Sequence, residues 1–235
     1  MSFDTFLNKS RLDESINDRG CFKAVFMAGQ PGAGKSYVAS KIKSGDIEPR
    51  IVNIDTITEF LNIHDTSAVY DKAKIISKNQ LSLYLNGALP LFIDMVGANT
   101  IRLKDRINVL EQIGYDTALV FVNTSLETAI FRAQKRIRKV NPDVITEYYN
   151  KIKDVKDNIK RLFSFSIEIN NDEGELTDSV LLKAFKRISY FYDSEMDNPI
   201  GRERQELMIK NGWKYLDPNI MPLQDIRRLV NMWYA

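Results

Sequence analysis

The sequence predicts an α/β protein in which a five-stranded parallel sheet is covered by helices on both faces and followed by a C-terminal helical extension. Three observations carry that expectation. Short apolar runs such as FKAVFMA, LFIDM and TALVFV read as strands buried on both faces. Helical patterns of ten or more residues separate most of them, which is the spacing of crossovers between parallel strands. Beyond about residue 190 the strand signals stop and aromatic-rich helical sequence follows, including Tyr190, Phe191, Tyr192, Trp213, Tyr215, Trp233 and Tyr234.

Taken in order, residues 22–28 form the first strand, followed by GQPGAGKS and a helix to about Lys43. Residues 51–54 (IVNI) form a second strand ending at Asp55. Two helices follow near 56–62 and 68–86, the second with Leu81 and Leu85 at helical spacing. LFIDM (91–95) is the third strand, and 100–113 is a helix that closes at Gly114, where glycine accepts a left-handed end. TALVFV (117–122) is the fourth strand, with Ser125 as N-cap of the next helix, and FSIEI (165–169) is the fifth. Residues 1–190 are expected to form one domain and 191–235 the helical extension.

Composition narrows the chemistry. Of 235 residues 44% are apolar and 27% charged, with 33 Lys+Arg against 31 Asp+Glu. Such a chain is neither collagen-like, disordered nor a disulfide scaffold, and its length suffices for a full core. A single cysteine, Cys21, and a single histidine, His64, exclude a Cys/His zinc site. A hydrolase triad would have to be built on His64, between two helical stretches. The start of the chain is too polar for a signal peptide, and the longest apolar run, ALPLFIDMVGA, is broken by Asp94. The expected location is the cytoplasm, away from membranes.

The strongest motif is Gly29, Gln30, Pro31, Gly32, Ala33, Gly34, Lys35 and Ser36, which matches GxxxxGK[ST] without deviation. Small residues let backbone N–H groups turn inward around phosphate oxygens, and the following helix adds its positive end. Lys35 is expected to reach the β- and γ-phosphates, with the Ser36 hydroxyl as a Mg²⁺ ligand. The loop follows an apolar strand and opens a helix, as a P-loop requires. The expected fold class is therefore a three-layer P-loop NTPase fold that binds nucleotide phosphates, with ATP and Mg²⁺ as the implied cofactors.

Together with this loop, IVNIDTITEF, LFIDMVGANT and FRAQKRIRKVNP resemble the small P-loop kinases of the zeta-toxin and polynucleotide 5′-kinase type, over about residues 20–170. By that resemblance the strand order is 2-3-1-4-5. Asp55 then accepts the proton of the attacking hydroxyl; the other reading of Asp55 is a helix N-cap. Asp94, at the end of its strand, either holds a Mg²⁺ water or meets the acceptor together with Asn99, and a purely structural strand-end role is the third possibility. No Glu follows Asp94, which argues against a motor ATPase.

Charge is unevenly spread. Residues 132–161 hold ten Lys/Arg against four Asp/Glu, so this segment is +6 in a chain whose net charge is +2. Arg132 and Arg136 are four apart, on one helix face, and Arg138 precedes the helix-stopping Asn141 and Pro142. The resemblance makes these arginines a lid that closes over the triphosphate; a solvated basic face is the alternative. Lys151, Lys153, Lys156, Lys160 and Arg161 read as surface unless the acceptor is polyanionic.

These elements point to a kinase that transfers the γ-phosphoryl group of ATP to a hydroxyl of a nucleic acid, a nucleotide or a modified base. The resemblance also allows a zeta-type kinase of a UDP-sugar, which would be expected to have an inhibitory protein partner. From a different class, the loop could serve a nucleotide-binding regulatory or interaction protein without transfer.

Overall fold

The structure is a computed structural model that describes residues 20–42, 49–61, 67–135, 140–172 and 176–234, without the side chains of Asp55 and Glu59. Its central strand, β1 (Lys23–Ala28), is buried along its whole length. Around it lie β2 (Arg50–Val52), β3 (Leu91–Asp94), β4 (Asp116–Asn123) and β5 (Phe165–Asn170). The order across the sheet is β2-β3-β1-β4-β5 and every pairing is parallel, as expected. Alternation sends Ala24, Phe26 and Ala28 into one core and Val25 and Met27 into the other. Both sides of β1 need apolar residues, which explains why its sequence shows no polar alternation.

One face is covered by α1 (Lys35–Lys41) and α7 (Asp178–Asp193), through residues such as Val38, Ile42, Ala184 and Ile188. On the other face lie α3 (Ser67–Asn86), α4 (Thr100–Ile113), α6 (Pro142–Arg161), α8 (Pro199–Asn211) and α9 (Leu223–Trp233). The short α2 (Ile54–Phe60) packs on α3. A small third cluster, Ala129, Ala133 and Ile145, joins α5 (Leu126–Gln134) to α6.

The chain's own signals set the helix ends. Ser125 caps α5, accepting from Thr128 N, and Gly114 closes α4 at φ 112°. Three boundaries differ from expectation. The second strand is Arg50–Val52, and α2 opens at Ile54, so Asp55 sits in a helical first turn rather than past a strand end. The first helix ends at Lys41. Asn141 and Pro142 do not stop a helix but start one: Asn141 accepts from Asp143 N and Pro142 occupies the first position of α6, where its missing N–H costs nothing. Helix α5 ends at Gln134 with Lys135 as its C-cap, and Arg136, expected to share a helix face with Arg132, lies outside the described residues.

The C-terminal helices share the sheet's core. Met208, Leu216, Ile226, Val230 and Trp233 are buried in the same cluster as Phe22 and Phe26. The Trp233 ring lies 6.1 Å from that of Phe26 and nearly parallel to it, and the Tyr234 hydroxyl is 2.6 Å from Ser77 Oγ. Tyr190 and Tyr215 are exposed instead. At the opposite end of β1, buried Lys23 pairs with Asp116 at 2.8 Å and donates to Ser194 Oγ and Glu195 O. Asp116 also accepts the N–H groups of Asp197 and Asn198, so the segment entering α8 is fastened to the sheet. A buried ion pair is tolerable when its remaining polar atoms are satisfied in this way. No helix among the described residues is long and apolar enough to cross a membrane.

Candidate active site

Residues 29–36 join β1 to α1 at the carboxyl end of the sheet, where ligands of open α/β sheets bind. The loop turns on itself through Ala33 N to Gln30 O, 3.1 Å. The loop's backbone favours glycine at several places, of which two show why. Gly32 has φ +84°, and a Cβ there would stand 2.2 Å from Ala129 O. Gly34 has φ +83°, and its Cβ would stand 2.3 Å from Asn171 Nδ2. Gly34 also precedes α1 without a side-chain cap, which leaves the first N–H groups of that helix turned to the loop's mouth.

Neighbouring strands hold this loop in shape. Buried Gln30 donates from Nε2 to Thr124 O at 2.7 Å, just past β4. Asn171, just past β5, donates from Nδ2 to Ala33 O at 2.7 Å. Lys35 folds back so that Nζ lies 3.0 Å from Gly29 O and 3.9 Å from Asp94 Oδ1. Ser36 is exposed at the start of α1.

Asp94 ends β3 facing the loop lysine, with its second oxygen accepting from Asn53 Nδ2 at 2.9 Å. Asn53 follows β2 and also receives Thr56 N at 3.4 Å, so Asn53 holds the start of α2. Asp55, the second residue of α2, is carried on that turn. Asn99 is the N-cap of α4, with Oδ1 accepting from Arg102 N at 3.0 Å.

Arg132, on α5, donates from Nη1 to Asn171 O at 2.7 Å beside Gly34. Arg136 and Arg138 lie outside the described residues, as does His64. Next to Asn171, Asp172 accepts from Thr124 Oγ1 at 2.7 Å, from Ser125 N at 2.9 Å and from Ser125 Oγ at 2.8 Å. Burial alone would raise its carboxyl, but hydrogen bonds from Thr124, Ser125 and Thr128 outweigh it and hold the pKa down to about 2. Behind the site, Lys156 and Lys160 of α6 both engage Glu168 on β5, the second at 2.7 Å. Burial works against the charged form of Glu168, yet these two pairs keep its pKa below the ordinary value.

The structure thus brings the loop, Lys35, Asp94 and Arg132 to one edge of the sheet. Sequence reasoning missed Asn53, Asn171 and Asp172. Each is a polar residue just beyond a strand; that position at the carboxyl edge of a parallel sheet was the available signal.

Comparison with known proteins agrees with this geometry. Residues 9–81 match the family model for zeta toxin. No curated protein sequence matches the chain significantly. Among solved structures, the AvrRxo1-ORF1:AvrRxo1-ORF2 complex with sulphate ions matches 98% of this chain and 83% of the other at a TM-score of 0.54 and 14% identity. A presumptive kinase from Chloroflexus aurantiacus matches 71% of this chain and 98% of the other at 0.51 and 13% identity. A chain of the Pnkp1/Rnl/Hen1 RNA repair complex matches 60% of this chain at 0.51 and 16% identity, with only 47% of that longer chain covered. Residues 9–81, which include the phosphate loop, are thus similar to the zeta-toxin family, and the chain shares its fold with the solved structures above.

Proposed function

We propose that the chain is an ATP-dependent kinase that moves a γ-phosphoryl group to a hydroxyl acceptor, with a nucleic acid, a nucleotide or a modified base as the acceptor class. The observation that carries the reading is the opposition of Lys35, at the end of the phosphate loop, to Asp94 at the end of β3, 3.9 Å apart. A loop of inward N–H groups cradles the phosphates, and Lys35 leaves its own loop carbonyls to meet the β- and γ-oxygens. Arg132 exchanges its Asn171 partner for the transferring group and stabilises charge there. Asp55 takes the proton of the acceptor hydroxyl as that oxygen bonds to γ-phosphorus and the bridging oxygen leaves with ADP. Asp94 either holds a Mg²⁺ water or meets the acceptor together with Asn99, and Arg136 and Arg138 are assigned to the lid with Arg132.

The donor set suits Mg²⁺: the Ser36 hydroxyl and the Asp94 carboxylate are hard oxygens that would hold it. The ion, when bound, neutralises phosphate charge during transfer.

The test is a panel of DNA, RNA, nucleosides, nucleotides and UDP-sugars incubated with labelled ATP and followed by mass spectrometry. Label on one acceptor supports transfer and names the substrate. Label on the UDP-sugar would favour the acceptor that the zeta-type resemblance implies. Tight ATP binding with neither ADP nor labelled product would overturn the kinase reading and leave a nucleotide-gated regulatory protein.

A further inference from the structure

We infer that Asn53 is a positioning residue for phosphoryl transfer, fixing the Asp94 carboxylate against Lys35 and the first turn of α2 against both. This deepens the kinase reading and rests on it. Strands β2 and β3 pair in parallel with Val52 opposite Ile93, so the next residues of each, Asn53 and Asp94, emerge side by side at the carboxyl edge. The two ends of the Asn53 carboxamide do different things. Its Nδ2 donates to Asp94 Oδ2 at 2.9 Å, while its Oδ1 accepts from Thr56 N at 3.4 Å. Asp94 then has one oxygen held by Asn53 and the other 3.9 Å from the Lys35 ammonium.

A terminal carboxylate turns easily about its last torsion, where rotamer wells are broad. A donor on one oxygen removes that freedom and leaves the second oxygen aimed at the phosphate loop. Because the donor is a neutral amide, it orients Asp94 without altering the charge of the site. The same side chain holds the start of α2, whose second residue is Asp55. One residue thus couples the candidate base, the β3 carboxylate and the loop lysine. Reacting groups displaced by about 1 Å can lose on the order of a hundredfold in rate, which is why such a coupling matters.

Two substitutions separate this role from simple helix capping. Asn53→Asp keeps an N-cap as good as asparagine but replaces the donor to Asp94 with a second carboxylate. Asn53→Ser keeps both a hydroxyl donor and a capping oxygen. The full chain and both variants are compared for Tm, for affinity toward a fluorescent ATP analogue with Mg²⁺, and for kcat of ADP release. N53D is expected to lose about 10–100-fold in kcat and to bind the nucleotide more weakly, both beyond what any fall in Tm accounts for. N53S, which restores a neutral donor with shorter reach, is expected to recover part of that loss.

If N53D matches the wild type in kcat and affinity, Asn53 is only a cap and the inference fails. It fails equally if both variants lose activity in proportion to a fall in Tm. A wild type that binds nucleotide without turnover would sink the kinase reading instead. Asn53 is then decided by affinity: a loss in N53D that N53S restores keeps the coupling of Asn53 to the loop, and equal affinities overturn it.

Discussion

Replacing Asp172 by asparagine tests how the site is braced. Its carboxylate receives Thr124 Oγ1, Ser125 N and Ser125 Oγ, all within 3.0 Å, at the junction where β4 leads into α5. These bonds hold its pKa at about 2 against a reference of 3.8. By linkage a depression of that size is worth about 2 kcal/mol, and the solvent-facing side of the carboxyl reduces it to about 1–2 kcal/mol. The sign follows from the depression: the stabilisation is complete above the unfolded pKa and fades as pH falls through the folded one. D172N should therefore lower Tm by about 2–8 °C at pH 7, since a chain of this size shifts roughly 2–4 °C per kcal/mol. The gap between the proteins should stay constant from pH 7 to about 5 and narrow below pH 4. Thermal unfolding followed by far-UV circular dichroism across that range measures it. A gap as wide at pH 3 as at pH 7, or none at pH 7, would refute the electrostatic account of Asp172.

Three further outcomes are expected. On the kinase reading Lys35→Ala should abolish ADP formation while leaving Tm within about 1–2 °C, because the ammonium lies against its own loop carbonyl and Asp94 rather than in the apolar core. Asp55→Asn should retain affinity for a fluorescent ATP analogue and lose most transfer, and full turnover on the true acceptor would remove Asp55 as the base. Trp233→Ala should cost about 3–5 kcal/mol, as expected for a large buried ring, and lower Tm by roughly 10 °C; a loss under about 1 kcal/mol would mean the C-terminal helix is not part of the core.

Much of the fold was legible because its signals are local. Strands buried on both faces are continuous apolar runs, and the caps at Ser125 and Gly114 are set by residues adjacent to the helices they bound. The errors fell where two local signals compete. Asn141–Pro142 looks like a stop but serves equally well as a start, because a proline lacking N–H is harmless in a first turn. Asp55 after IVNI looked like a strand end, yet the strand yields to a helix at Ile54 once Asn53 receives Thr56 N.

The amino-acid sequence by itself determined the phosphate loop, because its chemistry lies in eight consecutive residues whose backbone geometry needs glycine at fixed places. It also determined the parallel sheet, through the spacing of apolar runs. Only the tertiary structure decided what surrounds the loop. Asn53, Asp94, Asn171 and Asp172 meet it from the ends of three different strands, over separations in sequence as large as the 138 residues between Ala33 and Asn171. Those contacts depend on strand order, and strand order is set by which buried faces pack together rather than by any local pattern. The same holds for Trp233, which reads as one late aromatic among several until α9 lays it on Phe26.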